Sequence, residues 1–260
     1  MNEHCYTRKI LNFKNGIFDS IDCTYIITTY NSTRIDKLID TINKIRPTKK
    51  VVVQYNKTYK NCNKKLEKYL VNYDLSDANI HAFKHAITNN FKRVLVLEDD
   101  CEFDDRILNK RITNSINKFL KLKNPDIYNF GTTISITNPF DILFKEHQLL
   151  LLNSCAHATV YSERYMKDIV KRGGHILGHV DFNTNMYMSK YTFHKPIAYQ
   201  KILPTENAIN NWSIYYYISK PFFDLLHLDK KVQPGFDILK MTHDFISIFI
   251  FIFIIVILLR

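Results

Sequence analysis

The segment that decides the fold is Arg93–Phe103, which reads RVLVLEDDCEF. Its four consecutive apolar residues, Val94–Leu97, lead directly into three acids, Glu98, Asp99 and Asp100. A short apolar run without alternation is typical of a strand that is buried on both faces of a parallel sheet. The acids would then lie just beyond the carboxyl end of that strand, where open α/β sheets bind their ligands.

The acidic cluster predicts a cation site. Adjacent carboxylates repel one another unless a cation lies among them, and oxygen ligands suit Mg²⁺ or Mn²⁺. Asp100 lies furthest from the strand, so we expect it to bind the metal, with Glu98 as a second ligand or as a hydrogen-bond partner of a ligand. Asp99 and Glu102 could also bridge a metal to a diphosphate. The alternative is a solvated acidic turn.

The segment upstream predicts a β-α-β unit with parallel strands. Cys23–Tyr30 and Val51–Val53 are rich in β-branched residues, as strands are, and Pro47 ends the intervening helix. Apolar residues recur along that helix at a spacing of three and four, at Ile35, Leu38, Ile39, Ile42 and Ile45.

The turn after the first of these strands is a second candidate site. Thr28 and Thr29 offer hydroxyl groups, and Arg34 follows at the start of the helix. Such a turn can hold a base, a ribose or a phosphate. The alternative is ordinary helix capping by Asn31 or Ser32, with Arg34 on the surface.

The rest of the chain is less clearly patterned. Residues 1–22 are predicted to be an irregular lead-in, and Thr132–His147 is predicted to be a loop. In the sequence His179-Val180-Asp181, an acid follows a glycine-rich turn, so Asp181 could act as a general base near the metal or could simply cap a helix. Residues 201–235 receive no assignment. We therefore expect one α/β domain over residues 23–235.

The composition limits the kinds of ligand and the cellular compartment that we expect for this chain. The chain has 36 Lys and Arg residues against 25 Asp and Glu residues, a formal net charge of +11. The basic residues are scattered and form no nucleic-acid-binding motif, so we expect a phosphorylated ligand or a membrane surface and no nucleic acid. The five cysteines are odd in number and form no CxxC pair. A disulfide framework or a zinc site is therefore not expected, and a reducing compartment is the default.

The C-terminus predicts a membrane anchor over residues 240–260. Phe245–Leu259 contains no charged residue, and Arg260 ends the chain. Fifteen helical residues span roughly 22 Å, and extension back to Ile238 would bring the helix closer to the thickness of a bilayer core. A buried core helix would usually show a polar face, and a lone strand could not satisfy its backbone in lipid. Because only Arg260 follows the anchor, we expect the domain to lie on the cytosolic side of a single-pass anchor.

Several of these segments together resemble glycosyltransferase family 25, which includes bacterial lipooligosaccharide galactosyltransferases and collagen galactosyltransferases. The Glu-Asp-Asp element is the specific match, whereas Asp77 stands where the family has His. The matching segments follow in order along residues 24–200: Thr24–Arg34 (opening strand and Arg-bearing turn), Leu75-Ser76 (start of a Leu-Ser-His helix), Val94–Asp100 (Leu-Glu-Asp-Asp signature), Ala156–Tyr161 (small-residue strand), and Val180-Asp181 with Gln200 (Val-Asp … Gln ending).

The resemblance implies a GT-A-type nucleotide-sugar-binding fold, with a mostly parallel central sheet flanked by helices. It implies transfer of a hexose, galactose or glucose, from a UDP-sugar to a glycan, lipid or protein acceptor, with inversion and with Mn²⁺ (or Mg²⁺) on the diphosphate. By the family pattern, Asp100 would contact metal and diphosphate, and Asp181 would be the base or an acceptor contact. Thr28, Thr29, Arg34, Ser76, Glu98 and Asp99 would line the donor site. The alternatives are a metal-dependent phosphoryl- or nucleotidyl-transferring enzyme and a non-catalytic membrane-anchored protein.

Overall fold

The computed structural model describes residues 3–132, 134–154, 157–173, 183–200, 220–228 and 233–259. Within them the chain forms a nine-stranded mixed sheet, a two-stranded sheet and flanking helices. The strands are β1 (Tyr6–Asn12), β2 (Cys23–Thr29), β3 (Lys50–Asn56), β4 (Arg93–Glu98), β5 (Cys101–Phe103), β6 (Ile127–Asn129), β7 (Ile134–Thr137), β8 (His147–Ser154), β9 (Ala158–Ser162), β10 (Lys190–Phe193) and β11 (Ala198–Gln200). The helices are α1 (Ile35–Ile45), α2 (Val71–Thr88), α3 (Lys110–Lys123), α4 (Pro139–Phe144), α5 (Glu163–Arg172) and α6 (Gly235–Leu258).

The segment that holds the acids forms β4, and β4 is buried on both faces as its sequence predicts. Val94 and Val96 belong to one hydrophobic cluster, and Leu95 and Leu97 belong to the cluster on the other face. Strand β2 pairs in parallel with both β3 and β4, so the predicted β-α-β unit is confirmed. Helix α1 buries its predicted stripe except for Ile39, which is partly buried.

The sheet as a whole is mixed, with the order β1-β3-β2-β4-β9-β6-β10-β8-β7. The β3-β2-β4 part and the β6–β10 pair are parallel, whereas β9 runs antiparallel to both of its neighbours, β4 and β6. The prediction of a mostly parallel sheet therefore holds for the β3-β2-β4 part, which carries the acids, and not for the sheet as a whole. Strand β9 lies far along the chain from β4, and no pattern in the sequence specifies its direction.

Two predicted irregular segments contain regular structure. Strand β1 lies within the predicted lead-in and pairs antiparallel with β3 along its whole length. Most of its residues are exposed at the edge of the sheet, so its sequence lacks a strand's apolar alternation. Strand β7 and helix α4 lie within the predicted loop Thr132–His147, where Asn138 caps α4 and Pro139 begins it.

The cysteine prediction is wrong at one pair. Cys5, just before β1, forms a disulfide with Cys62, in the loop after β3. The two residues are 57 positions apart, and the pairing of β1 with β3 brings them together, which sequence spacing could not show. The cysteine count therefore no longer supports a reducing compartment.

The C-terminal helix α6 is longer than the predicted anchor and begins inside the fold. Phe236, Leu239 and Lys240 are buried against the domain. An 18-residue window of α6 has a mean hydropathy of 2.5 and is only 6% buried. The helix is thus long and apolar enough to cross a membrane. The division into lead-in, domain and anchor stays a prediction.

Candidate functional site

The acids of the decisive segment lie at the carboxyl edge of the parallel part of the sheet. Glu98 ends β4 next to Ile27 of β2, and Asp99 and Asp100 form the turn between β4 and β5. Strand β5 then pairs antiparallel with β11, which places Gln200 opposite Cys101. The site is therefore built where β2, β4 and the β5–β11 pair meet.

Asp99 is held by the turn after β2. The Thr28 hydroxyl donates a hydrogen bond of 2.7 Å to one carboxylate oxygen, and the Arg34 guanidinium donates one of 2.6 Å to the other. Asp99 is 8% exposed, so these are bonds in a largely dry environment, where charge-assisted hydrogen bonds are strong. The structure thus brings together Thr28, Arg34 and Asp99, three of the residues predicted to line the site.

Asp100 is buried beside Asp99 but is incompletely paired. Its Oδ2 accepts a 2.9 Å hydrogen bond from the Gln200 side chain and lies 3.5 Å from Nη1 of Arg34. Its Oδ1 is buried and has no hydrogen-bond partner among the described residues. Burial raises the pKa of Asp100, and the charge of Asp99 adds to that rise, while Gln200 and Arg34 oppose it.

The environment of Asp100 suits a hard cation. A buried, unpartnered carboxylate oxygen costs free energy unless a proton or a cation satisfies it. A carboxylate oxygen is a ligand that Mg²⁺ and Mn²⁺ prefer, although the neighbouring Asp99 has both of its oxygens bonded, to Thr28 and Arg34. Burial raises the pKa of the Cys101 thiol. The described residues therefore offer a divalent cation the Oδ1 of Asp100.

The other residues that were predicted to line the site do not contact Asp99 or Asp100 through a side-chain hydrogen bond described here. Glu98 is half-buried at the end of β4, and its backbone N–H donates to the carbonyl of His157 at 3.0 Å. Thr29 is exposed, and its carbonyl accepts from the N–H of Ser32 at 3.2 Å. Ser76 is buried in the second turn of α2, the helix that leads to β4. Asp181 lies outside the described residues.

Two contacts were not assigned to the site from the sequence. Gln200 was part of the family-like ending, but only the pairing of β11 with β5 shows that it reaches Asp100. Glu102 forms an ion pair with Lys37 of α1 on the exposed rim of the cluster. The spacing of lysines along α1 could not show this pair, because the pairing of β5 with β11 sets the position of Glu102.

No protein-family model matches the chain, and no curated protein matches it. Among solved structures, A197 from STIV is 14% identical, with 70% of this chain and 87% of that chain covered and a TM-score of 0.41. A glycosyltransferase involved in the glycosylation of the major capsid of PBCV-1 is 9% identical, with 63% of this chain and 74% of that chain covered and a TM-score of 0.34. Neither score establishes a common fold, so the site is interpreted from its own residues.

Proposed function

We propose that the chain is a metal-dependent glycosyltransferase of the GT-A type, similar to glycosyltransferase family 25. The observation that carries this proposal is the buried Oδ1 of Asp100, which has no hydrogen-bond partner among the described residues and lies beside Arg34 at the carboxyl edge of parallel strands β2 and β4. Ligands of open α/β sheets bind at this edge, and the cluster combines a cation ligand with a guanidinium suited to phosphate.

Each side chain has a distinct role in this proposal. Asp100, with Glu98, would hold Mn²⁺ or Mg²⁺, and the bound metal would neutralise charge on the diphosphate leaving group. Asp99 holds the turn in place through Thr28 and Arg34. Arg34 is the cation nearest to both Asp99 and Asp100 in the described part of the chain, so it would turn towards a diphosphate when a metal takes over the charge of Asp100.

The finer assignments rest on the family resemblance. They are a UDP-sugar donor carrying galactose or glucose, inversion at the sugar, and a glycan, lipid or protein acceptor. Thr28, Thr29 and Ser76 would line the donor site, and Asp181 would be the base or an acceptor contact. Helix α6 would tether the domain to a membrane.

A donor screen tests the proposal. The full chain, reconstituted in lipid nanodiscs because α6 begins inside the fold, is incubated with each UDP-sugar and Mn²⁺, and released UDP is measured. We expect turnover of one UDP-hexose, loss of at least a hundredfold in rate in Asp100→Asn, and full activity in Asp19→Asn. Asp19 is a matched control because it forms an exposed ion pair with Lys121 outside the site. Turnover of a nucleotide that lacks a sugar would instead support phosphoryl or nucleotidyl transfer, and equal rates in Asp100→Asn and wild type would refute the role of Asp100.

A further inference from the structure

A group of exposed apolar side chains lies on α4, next to the C-terminal helix. Phe140, Leu143 and Phe144 are 58%, 62% and 78% exposed, and we call these three the α4 apolar face. Large apolar side chains that are exposed together mark an interaction site more often than single ones do. All three stay largely exposed within the described part of the chain.

The α4 apolar face is continuous with the apolar surface of α6. The ring of Phe140 contacts the ring of Phe251 edge-on, with centroids 5.3 Å apart. The backbone N–H of Thr137 donates a hydrogen bond of 3.1 Å to the Ser247 hydroxyl of α6. Thr137 directly precedes Asn138, the residue that caps α4. Strand β7 and α4 therefore pack directly along α6.

These contacts set the level of α4 along the helix axis. Asp244 is the last charged residue of the described part of α6. Phe251 follows it by seven residues, which corresponds to about 10 Å along the axis. Phe140, near the start of α4, lies beside Phe251 in the uncharged part of α6, whereas Leu143 and Phe144 line a cavity with Lys240 and Asp244. Helix α4 therefore extends from beside the uncharged part of α6 to beside its polar start. If α6 crosses a bilayer, α4 must lie at least as deep as the headgroups.

The charges next to α4 fit the surface of an anionic bilayer. Lys145 directly follows α4 and is exposed, with Asp141 as an ion-pair partner at 2.7 Å, and Lys195 is exposed nearby. Both line a cavity of about 580 Å³ between α4 and the start of α6, whose other walls include Lys240 and Asp244. A basic rim above an apolar face is the pattern of interfacial membrane segments, and the chain's net charge of +11 adds long-range attraction.

We propose that the α4 apolar face enters the membrane beside α6, so that the domain lies on the bilayer surface and is not merely tethered to it. The occupant of the face is the bilayer, with acyl chains against Phe140, Leu143 and Phe144 and anionic headgroups at Lys145 and Lys195. The lipid surface fits better than a second copy of the chain, because Phe140 contacts Phe251 in the uncharged part of α6 that would lie in the bilayer. The proposal does not depend on glycosyl transfer.

The test places a single tryptophan at the face. The chain contains one tryptophan, so Trp212→Phe gives a background without any. Leu143→Trp reports on α4, Ile257→Trp on the uncharged part of α6, and Leu122→Trp is the matched control. Leu122 is 76% exposed at the end of α3, near Asn124, which bonds Arg93 at the amino end of β4. The full-length variants are reconstituted in phosphatidylcholine–phosphatidylglycerol vesicles, with and without brominated acyl chains.

We expect brominated lipid to reduce the fluorescence of Leu143→Trp and Ile257→Trp at least twofold and to leave Leu122→Trp unchanged. Phe144→Trp should behave as Leu143→Trp does, which guards against a local folding defect at one position. Quenching of Ile257→Trp without quenching of either α4 variant would overturn the proposal, and so would equal quenching of Leu122→Trp. Fluorescence of Leu143→Trp that responds to protein concentration but not to brominated lipid would assign the face to a second copy instead.

Discussion

Asp99 and Asp100 are neighbours in the chain, but their carboxylates have different surroundings. Both oxygens of Asp99 are bonded, to Thr28 and Arg34, whereas Asp100 keeps one buried oxygen without a partner among the described residues. The turn after β4 points the two side chains differently, so adjacent identical residues acquire different roles. Asp99 positions the turn, and Asp100 is the candidate ligand.

The bond between Thr28 and Asp99 predicts a measurable effect on stability. Thr28→Val keeps the shape of the side chain but removes the donor, which should lower the free energy of unfolding by about 2 kcal/mol, since a bond to a charged group is lost. Urea denaturation of the full chain in detergent measures the change. Thr88→Val, which removes an exposed hydroxyl bonded to the carbonyl of Lys84, is the control and should cost much less. Equal effects of the two variants would show that Thr28 does not hold Asp99.

His147 predicts a dependence of stability on pH. Its ring is stacked on Phe119 and bonded to the hydroxyls of Tyr128 and Ser115, and burial lowers its pKa from 6.5 to about 4. Between about pH 6.5 and pH 4, His147 is protonated in the unfolded chain but neutral in the folded chain. The free energy of unfolding therefore falls as the pH is lowered through this range. His147→Gln should reduce this fall, as measured by urea denaturation at several pH values. An unchanged slope, equal to that of the exposed control His4→Gln, would contradict the assignment.

Element by element, buried segments could be predicted and edge segments could not. The strands β2 and β4 and the helix α1 follow from apolar runs and spacing, because burial on both faces or on one stripe leaves a pattern in the sequence. Strand β1 and helix α4 leave no such pattern, because β1 is an exposed edge strand and α4 turns apolar residues outward. The candidate site divides in the same way: the position of Asp100 just after β4 could be predicted, but its contact with Gln200 depends on the pairing of β11 with β5.

A hydrogen-bonded cluster ties the β5–β11 pair to the start of α6. Arg106 bonds Asp104 just after β5, the hydroxyl of Tyr199 in β11, and Asp237 in the first turn of α6. Gln233 reaches the same tyrosine hydroxyl and Asp237. Burial acts to raise the pKa of Asp104, but the hydrogen bonds from Arg106 outweigh it and lower that pKa below its usual value. The cluster therefore holds the strand that carries Gln200 against α6.

Arg106→Ala should loosen this connection. We expect the free energy of unfolding to fall by about 2 kcal/mol, because the buried Tyr199 hydroxyl and two partly buried carboxylates lose a charged donor. Hydrogen exchange followed by mass spectrometry should show faster exchange in β11 and in the first turn of α6. Arg111→Ala, which removes an 88% exposed side chain 3.5 Å from Glu146, is the control. Protection of β11 that matches the control would mean that Arg106 does not join the two elements.

The disulfide predicts a second effect at this scale. Cys5–Cys62 closes a loop of 57 residues around β1, β2 and β3. The chain-entropy estimate for such a loop is about 4 kcal/mol, so Cys62→Ser should lower the free energy of unfolding by several kcal/mol under oxidising conditions. The same variant should match the wild type once both are reduced. Equal stability of the two proteins without reductant would show that the bond does not form.

In the whole molecule, the strand pairing of one part of the sheet could be predicted from the sequence and that of the other part could not. The β3-β2-β4 part, its parallel strands and its acidic edge could be read from Cys23–Asp100, because local crossovers constrain that topology. The antiparallel strands beyond β4 come from distant segments whose pairing no local pattern encodes. The apolar stretch at the C-terminus was visible from composition, but its attachment to the fold through Phe236, Leu239 and Arg106–Asp237 was not.

The central claim, that Asp100 holds a cation for a nucleotide diphosphate, is tested most directly by the thermal unfolding midpoint of the full chain with UDP, with and without Mn²⁺. A ligand that binds only the folded state raises the midpoint. We expect UDP to stabilise the wild type and Asp19→Asn only when Mn²⁺ is present, and the affinity for UDP in Mn²⁺ to fall at least tenfold in Asp100→Asn. Equal stabilisation of Asp100→Asn, or no stabilisation of the wild type by UDP and Mn²⁺ together, would contradict the account.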